Sequence, residues 1–201
     1  MPPYPASNKI GDYLMNSLIE TIKQRRSVRS FESRPIPKEA LNAIINAGNM
    51  APSGCNAQGW RFVVVTDKIF RKKLAELALP RYKKWMEKSG ETLKEMRKEI
   101  DEKVGDPVYY DAPAVLFVIG SGMTAGLDCP MVCENMMLAA RSLGIGSCWV
   151  YFGQLVLDDP GIRKSLELKQ DENVYGPILL GYPKGDFPEP PLKKDPVVKW
   201  I

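Results

Sequence analysis

The sequence predicts an α+β or α/β fold around one apolar core, on three observations. Four short runs rich in β-branched residues alternate with longer segments of helical periodicity. At 201 residues and 44% hydrophobic content, the chain is long enough to bury one substantial core, which favours one domain (1–201) over two. No GxGxxG follows the first strand-like run and no GxxxxGK[ST] occurs, so neither a Rossmann dinucleotide unit nor a P-loop is expected.

The elements follow in order. Residues 17–24 (SLIETIKQ) are helical by pattern, with Leu18, Ile19 and Ile22 on one side. RRSVRSF, residues 25–31, comes next, where a helix C-terminus tolerates cations. Pro37 opens a second helix with Leu41, Ile44, Ile45 and Ala47 as its apolar face, and APSG ends it. WRFVVVTD reads as a buried strand and DKIFRKKLAELAL as the helix after it. Residues 81–103 are densely charged with both signs. Leu93, Met96, Ile100 and Val104 recur there at helical spacing, and Glu95 with Lys98 and Glu99 with Lys103 form supporting pairs, so a solvated helix with one apolar stripe is expected. APAVLFVIG is a second buried strand, DCPMVCENMMLAARSLG a long apolar helix stopped at Gly144, and GSCWVY a short third strand. A small helix over 160–168 and a fourth strand, VYGPILLGY, complete the body. The tail PKGDFPEPPLKKDPVVKWI carries five of the 17 prolines and must therefore be extended rather than helical. Its apolar end, VVKWI, has no place in its own sheet, and an arm laid on a second subunit would bury it.

Composition narrows the function. A net charge of +4 is too slight for wholesale nucleic-acid binding and leaves room for one local anion site. MPPYPASNKIGDY lacks the pattern of a signal peptide, and no apolar run approaches the roughly 20 residues of a spanning helix. A soluble, cytoplasmic protein without membrane contact is expected. Histidine is absent, which excludes Ser-His-Asp and Cys-His machinery and histidine-based metal sites. Cys55, Cys129, Cys133 and Cys148 are too few and scattered for a disulfide scaffold. No CxxC pair exists, and neighbours such as Met136 and Leu138 argue for buried free thiols rather than a metal or iron–sulfur site.

Two segments carry candidate chemistry. In an extended backbone Arg25, Ser27 and Arg29 project on the same side, so RRSVRSF is either a phosphate clamp or a solvated basic turn anchored by Phe31. APSGCNAQGW is either a plain helix-to-strand connection or a loop whose Ser53, Asn56 and Gln58 hydrogen-bond a planar ring while Gly54 permits close approach.

Together RRSVRSF, APSGCNAQGW about 25 residues later, ENMMLAARSLGIGSCW and GYPKGDFPEPPLKK resemble the nitroreductase family of FMN-dependent oxidoreductases, in the same order and from about Ile19 to Val198. The resemblance implies an α+β three-layer fold, with a central, mainly antiparallel sheet flanked by helices, in a homodimer with exchanged C-terminal arms (184–201). It implies that FMN sits at the subunit interface and accepts hydride from NADH or NADPH for a small-molecule electron acceptor such as a nitroaromatic, quinone or enone. Arg25, Arg26, Ser27 and Arg29 match the first FMN segment, which contacts phosphate, ribityl chain and the pyrimidine side of the ring. Pro52, Ser53, Gly54 and Asn56 match the segment that arrives from the other subunit. Tyr151 and Phe152 match the position whose backbone N–H faces flavin N5, and Lys193 and Lys194 the basic tail positions that reach the phosphate. The catalytic step then needs no side chain, because the flavin carries the hydride and nearby cations stabilise its reduced form. Residues 81–106 fall where the family varies its lid, so Tyr82, Trp85 and Met86 either cover the flavin or pack the charged helix on the body. The region GDPVYYDAP lacks the Asn and Lys that touch the ring in some members, and Tyr151 with Phe152 is bulkier than the Gly of others. A reductive dehalogenase or flavin-destructase activity is the related alternative. A basic interaction module using Arg25, Arg26, Arg29 and the 83–103 helix is the alternative from a different class.

Overall fold

The computed structural model describes residues 17–102 and 104–201, without the side chains of residues 99 and 100. The segment MPPYPASNKIGDY and the Glu99–Lys103 pair lie outside the described residues. Ten elements form the body: α1 (Ser17–Gln24), α2 (Lys38–Asn49), β1 (Trp60–Val65), α3 (Lys68–Glu87), α4 (Glu91–Asp101), β2 (Ala114–Gly120), α5 (Ala125–Ser142), β3 (Gly146–Trp149), α6 (Pro160–Ser165) and β4 (Asn173–Gly181). Single 3₁₀ turns occupy Gly54–Asn56 and Tyr151–Val156.

The strands form one sheet in the order β1-β2-β4-β3, and every neighbouring pair is antiparallel. Alternation along β2 builds two cores. Val115, Phe117 and Ile119 pack with Leu74, Ala78, Tyr82 and Ile162 on one face. Leu116 and Val118 pack with Leu41, Ile44, Val132 and Met136 on the other. All seven β2 residues are buried, which explains the unbroken apolar run in its sequence. The outcome is the expected α+β arrangement of three layers with a mainly antiparallel sheet. Among the described residues no helix is long and apolar enough to cross a membrane.

Pro80 does not end its helix. The sequence predicts a stop there, yet α3 continues through it to Glu87. Ala78 and Tyr82, on either side of the proline, are buried at 0% and 3% exposure, and the Arg81 side chain donates to the carbonyl of Leu77 (2.9 Å). Packing thus outweighs the one backbone bond that proline forfeits. The break comes instead at Ser89 and Gly90, and α4 is a separate helix. Its apolar stripe is narrower than expected, because Met96 is 69% exposed. Lys98 lies 4.0 Å from Glu102 rather than pairing with Glu95, and Arg97 pairs with Asp101 (3.0 Å).

Arg61 of β1 holds the far side of the sheet to the turn before β4. Its Nε and Nη2 donate to the two carboxylate oxygens of Glu172 at 2.8 and 2.7 Å, and Nη2 also reaches the carbonyls of Leu166 and Glu167. The Arg61 hydrogen bond pulls the Glu172 carboxyl down from the ordinary 4.5 to about 2. A depressed carboxyl contributes stability that is present above its ordinary value and lost as pH falls from about 4.5 toward 2. Glu172→Gln is expected to lower unfolding free energy at pH 7 by about 1.5–3 kcal/mol and to flatten that acid limb, measured by urea titration at several pH values.

Candidate functional site

Residues 25–31 run extended along the outer edge of β3. Val28 N–H donates to the Ser147 carbonyl (2.9 Å), residues 27 and 147 form a parallel bridge, and Lys184 N–H donates to the Ser30 carbonyl (3.0 Å). Val28 points inward at 2% exposure. Residue 146 must be glycine beside it, since a Cβ there would lie 2.8 Å from a Val28 methyl. Alternation then sends Arg25, Ser27 and Arg29 to the opposite side. Arg26 shares the parity of Val28 and turns back. Its Nη1 donates to the carbonyls of Lys23 and Arg25, both at 2.6 Å, closing the C-terminus of α1.

The clamp segment runs beside Cys148, whose neighbour Ser147 bridges Ser27. Burial raises this thiol, while Arg29, a Ser27 hydrogen bond, Arg97 and Arg25 all act to lower it. Arg25 Nε lies 3.7 Å from half-exposed Glu134. Among the described residues Arg29 has no carboxylate at ion-pair distance, and its one hydrogen bond is a long contact to the Ser27 carbonyl (3.4 Å). A groove of about 1040 Å³ opens beside it, lined by Ser27, Arg29, Ser30, Val104, Pro183 and Lys184 among others. Its size lies at the top of the roughly 300–1,000 Å³ range of small-molecule and cofactor sites. Lys184 was not singled out by sequence reasoning, because its place depends on its pairing with Ser30 rather than on a local motif.

Just past β3 the chain enters the Tyr151–Val156 turn. Val150 N–H is bound to the Pro177 carbonyl (3.0 Å), and the turn's first internal bond runs from Gly153 N–H to the Val150 carbonyl (3.3 Å). The N–H groups of Tyr151 and Phe152 therefore precede the turn's own bonding. Tyr151 is 56% exposed. Phe152 packs edge-on between Tyr82 and Trp85, with ring centroids 4.9 Å from each. Of the lid candidates, these two hold the side chain next to the exposed turn, and Met86 packs on the same core.

A network missed by the sequence reading joins α4 to this cluster. Arg97 donates to the hydroxyls of Tyr82 and Tyr110, both at 2.9 Å, and to the Pro107 carbonyl (2.7 Å). Its guanidinium lies 5.4 Å from the Phe152 ring centroid. Nothing local distinguishes Arg97 from the other charges of residues 81–103; only the fold reveals its 11% exposure.

The 52–58 loop is shaped by its own contacts. Gly54 N–H reaches Asp128 Oδ1 (3.4 Å), Thr124 donates to Asp128 Oδ2 (2.7 Å), and Ser53 Oγ accepts from Gln58 N–H (3.0 Å). A Cβ at position 54 would come 2.8 Å from a Thr124 methyl. Cys55, Asn56 and Gln58 have φ of 51°, 55° and 49°, left-handed values that are unusual outside glycine and asparagine. Pro52 and Asn56 are exposed.

Within one chain this loop and the clamp do not meet. Trp60 stands opposite Gly120 on the β1 edge, whereas Ser27 lies beyond β3 near the other end of the strands. Four strand spacings and about six residues of rise put them at diagonal corners, on the order of 20 Å apart in each direction. Helix α5 spans that diagonal: Asp128 near its start holds the loop, and Arg141 at its end donates to Gln24 beside the clamp. Leu127 (73%) and Met131 (39%) are exposed on it.

After Phe187 the chain leaves the body. Arg141 stacks 3.9 Å from the Phe187 ring centroid, and the residues from 188 onward, including Lys193, Lys194, Val197, Trp200 and Ile201, are exposed. The cysteines do not gather. Cys129 and Cys133 are buried one turn apart in α5, burial pushing them to about 11 and about 12, while Cys148 faces the other core and Cys55 is exposed.

The nitroreductase family model matches residues 22–182. A solved nitroreductase with bound FMN from Bacteroides fragilis is 37% identical, with a TM-score of 0.68 over 92% of this chain and 95% of that one. An NADPH-flavin oxidoreductase of Vibrio harveyi is 33% identical over 84% of this chain and 67% of its own. A solved iodotyrosine deiodinase bound to FMN and 3-iodo-L-tyrosine is 25% identical, with a TM-score of 0.74 over 90% of this chain and 97% of that one. The fold, the order of the motifs and a match over most of its length place this chain in the nitroreductase family.

Proposed function

We propose that the protein is a homodimeric FMN oxidoreductase in which NADH or NADPH reduces the flavin, and a small oxidised acceptor such as a nitroaromatic, quinone or enone then takes the electrons. The observation that carries this reading is a large groove lined by Ser27, Arg29 and Lys184 along the extended 25–31 segment, with Arg25 on the same side of that segment. The residues fit the cofactor. Arg29, without a carboxylate partner among the described residues, suits a phosphate. Ser27, which lines the groove, offers a hydroxyl, and Arg26 supports the segment from behind as the cap of α1. The absence of a Cβ at Gly54 suits close approach by a ring.

The second copy completes the site. An antiparallel pairing of two α5 helices about a two-fold axis brings one chain's Pro52, Ser53, Gly54 and Asn56 to the other's clamp, and covers Leu127 and Met131. Lys193 and Lys194 on the extended arm add charge at the phosphate end.

When bound, FMN supplies the two-electron chemistry, accepting hydride from the nicotinamide and releasing it to the acceptor. The protein's share is to hold the anionic end with guanidinium groups, to aim a backbone N–H from Tyr151 or Phe152 at the ring, and to exclude water under Tyr82, Trp85 and Phe152. Donor and acceptor use one pocket in turn. Initial rates against NAD(P)H at several acceptor concentrations are expected to give parallel double-reciprocal lines, and intersecting lines contradict the shared pocket.

The likeness to the solved iodotyrosine deiodinase supports a second reading, reductive dehalogenation of an aryl halide in the same site. Iodide release from 3-iodo-L-tyrosine under anaerobic reduction distinguishes it.

A further inference from the structure

A cavity of about 520 Å³ opens between α2, the end of β1, the start of β2 and the first turns of α3. It shares no lining residue with the clamp groove. Ile36, Leu41, Ile45, Val64 and Pro113 give it an apolar wall, and Ser33, Asn42 and Thr66 add hydroxyl and amide groups. Its charged lining consists of Lys38 and Arg71, with no carboxylate. A mostly apolar hollow of this size with a few polar groups and charges of one sign has the make-up of a small-molecule site. Arg71 is half-buried at its edge. Its Nε donates to the Thr66 carbonyl (3.3 Å) and its Nη1 to the Ala112 carbonyl (2.8 Å), which fixes the guanidinium in place. Nη2 has no acceptor among the described residues and is not closed to solvent. Burial lowers this arginine from its ordinary 12.5, and Asp111 and Asp67 act against that from beyond ion-pair distance. Asp67 is engaged as the cap of α3, accepting from Phe70 N–H (2.7 Å). On its other side Arg71 borders a smaller cavity of about 380 Å³, whose lining sets Lys68 and Lys72 against Asp106 and Asp111 and so balances without it.

We infer that the larger cavity is a second ligand site, separate from the cofactor groove, which binds a small organic monoanion with an apolar body, an aryl carboxylate. The carboxylate takes Arg71 Nη2 and the Lys38 ammonium, and the ring lies on the apolar wall. One negative charge suits the site better than two. Its two cations are already partly offset by Asp67 and Asp111, and a doubly charged phosphate monoester needs more donors than this lining offers. A neutral ligand of the same shape gains the wall but leaves the half-buried guanidinium without a counter-charge, which is where discrimination arises. The inference stands apart from the FMN reading, because cavity and groove have no residue in common.

Calorimetric titration of the protein as purified with 2-naphthoate and with 2-naphthamide tests this, because the two share a ring system and differ in charge. The carboxylate is expected to bind roughly tenfold tighter, the span of one hydrogen bond between charged groups. Arg71→Met brings the ratio of the two dissociation constants to about one. Lys38→Gln, at an exposed position, lowers that ratio about threefold and keeps the test open should Arg71→Met fail to fold. Equal binding of the two probes by the unmodified protein, or an unchanged ratio in the variants, overturns the assignment. Displacement of naphthoate by inorganic phosphate at comparable affinity also overturns it, since the apolar wall would then contribute nothing. Naphthoate that changes the visible spectrum of the protein and binds both variants as before sits in the clamp groove instead, which overturns the second site. The cofactor reading fails separately: a colourless protein that still discriminates keeps this site and rejects the flavin, and a yellow one that does not discriminate does the reverse.

Discussion

Deleting the residues after Pro191 is expected to lower dimer stability and FMN affinity together. The removed stretch carries Leu192, Val197, Trp200 and Ile201, each more than 90% exposed on a single chain, along with Val198. Burying a large apolar side chain contributes roughly 1.5–3 kcal/mol, so an arm laid on a partner accounts for on the order of 5 kcal/mol of association free energy even after ordering costs. Its loss raises the dimer dissociation constant by several powers of ten. Lys193 and Lys194 go with the same cut, and because cofactor binding and assembly share one surface, each effect amplifies the other. Lys193→Ala with Lys194→Ala separates them: FMN binding weakens while sedimentation still reports a dimer. A truncated chain that remains a fully flavinylated dimer shows that the arm has neither role.

Replacing Arg25 by alanine is expected to weaken FMN binding by about 1.5–3 kcal/mol, the range for a hydrogen bond to a charged group, with little loss of fold. Little stabilising interaction is forfeited, since its Glu134 contact is long and half-exposed. Arg26→Ala is the contrast. Its guanidinium closes α1 onto the carbonyls of Lys23 and Arg25, so the loss is expected in thermal stability, by about 1 kcal/mol, with a smaller effect on the cofactor. Fluorescence titration of FMN into apo-protein and thermal melts of both variants read the difference. Equal loss of FMN affinity in the two would mean that side-chain parity along residues 25–29 does not decide which arginines face the groove.

What the sequence revealed of the fold follows from where local signals are strong. β2 was legible because a strand buried on both faces must be apolar throughout, and α5 because Gly144 marks its end. The extended tail was legible from its prolines. Pro80 misled, because burial of Ala78 and Tyr82 is a tertiary fact that overrides a local penalty. The charges of α4 misled in the same way: the spacing allowed several pairings, and contacts with α3 and the 106–112 segment singled out Arg97.

The candidate site was legible in its parts and not in its assembly. Strand parity alone separates Arg25, Ser27 and Arg29 from Arg26. That Pro52, Ser53, Gly54 and Asn56 sit at the opposite corner from them depends on sheet order, which no short motif encodes. Lys184 and Cys148 enter only through pairing and burial.

On the proposed reading, the clamp and groove hold FMN between two copies of this chain. Its most direct test is the visible spectrum and released chromophore of freshly purified protein, taken on the same sample that is sedimented. A yellow dimer releasing one FMN per chain, and no FAD, on denaturation is the predicted result. A colourless protein that fails to take up added FMN, or a flavin-loaded stable monomer, contradicts it.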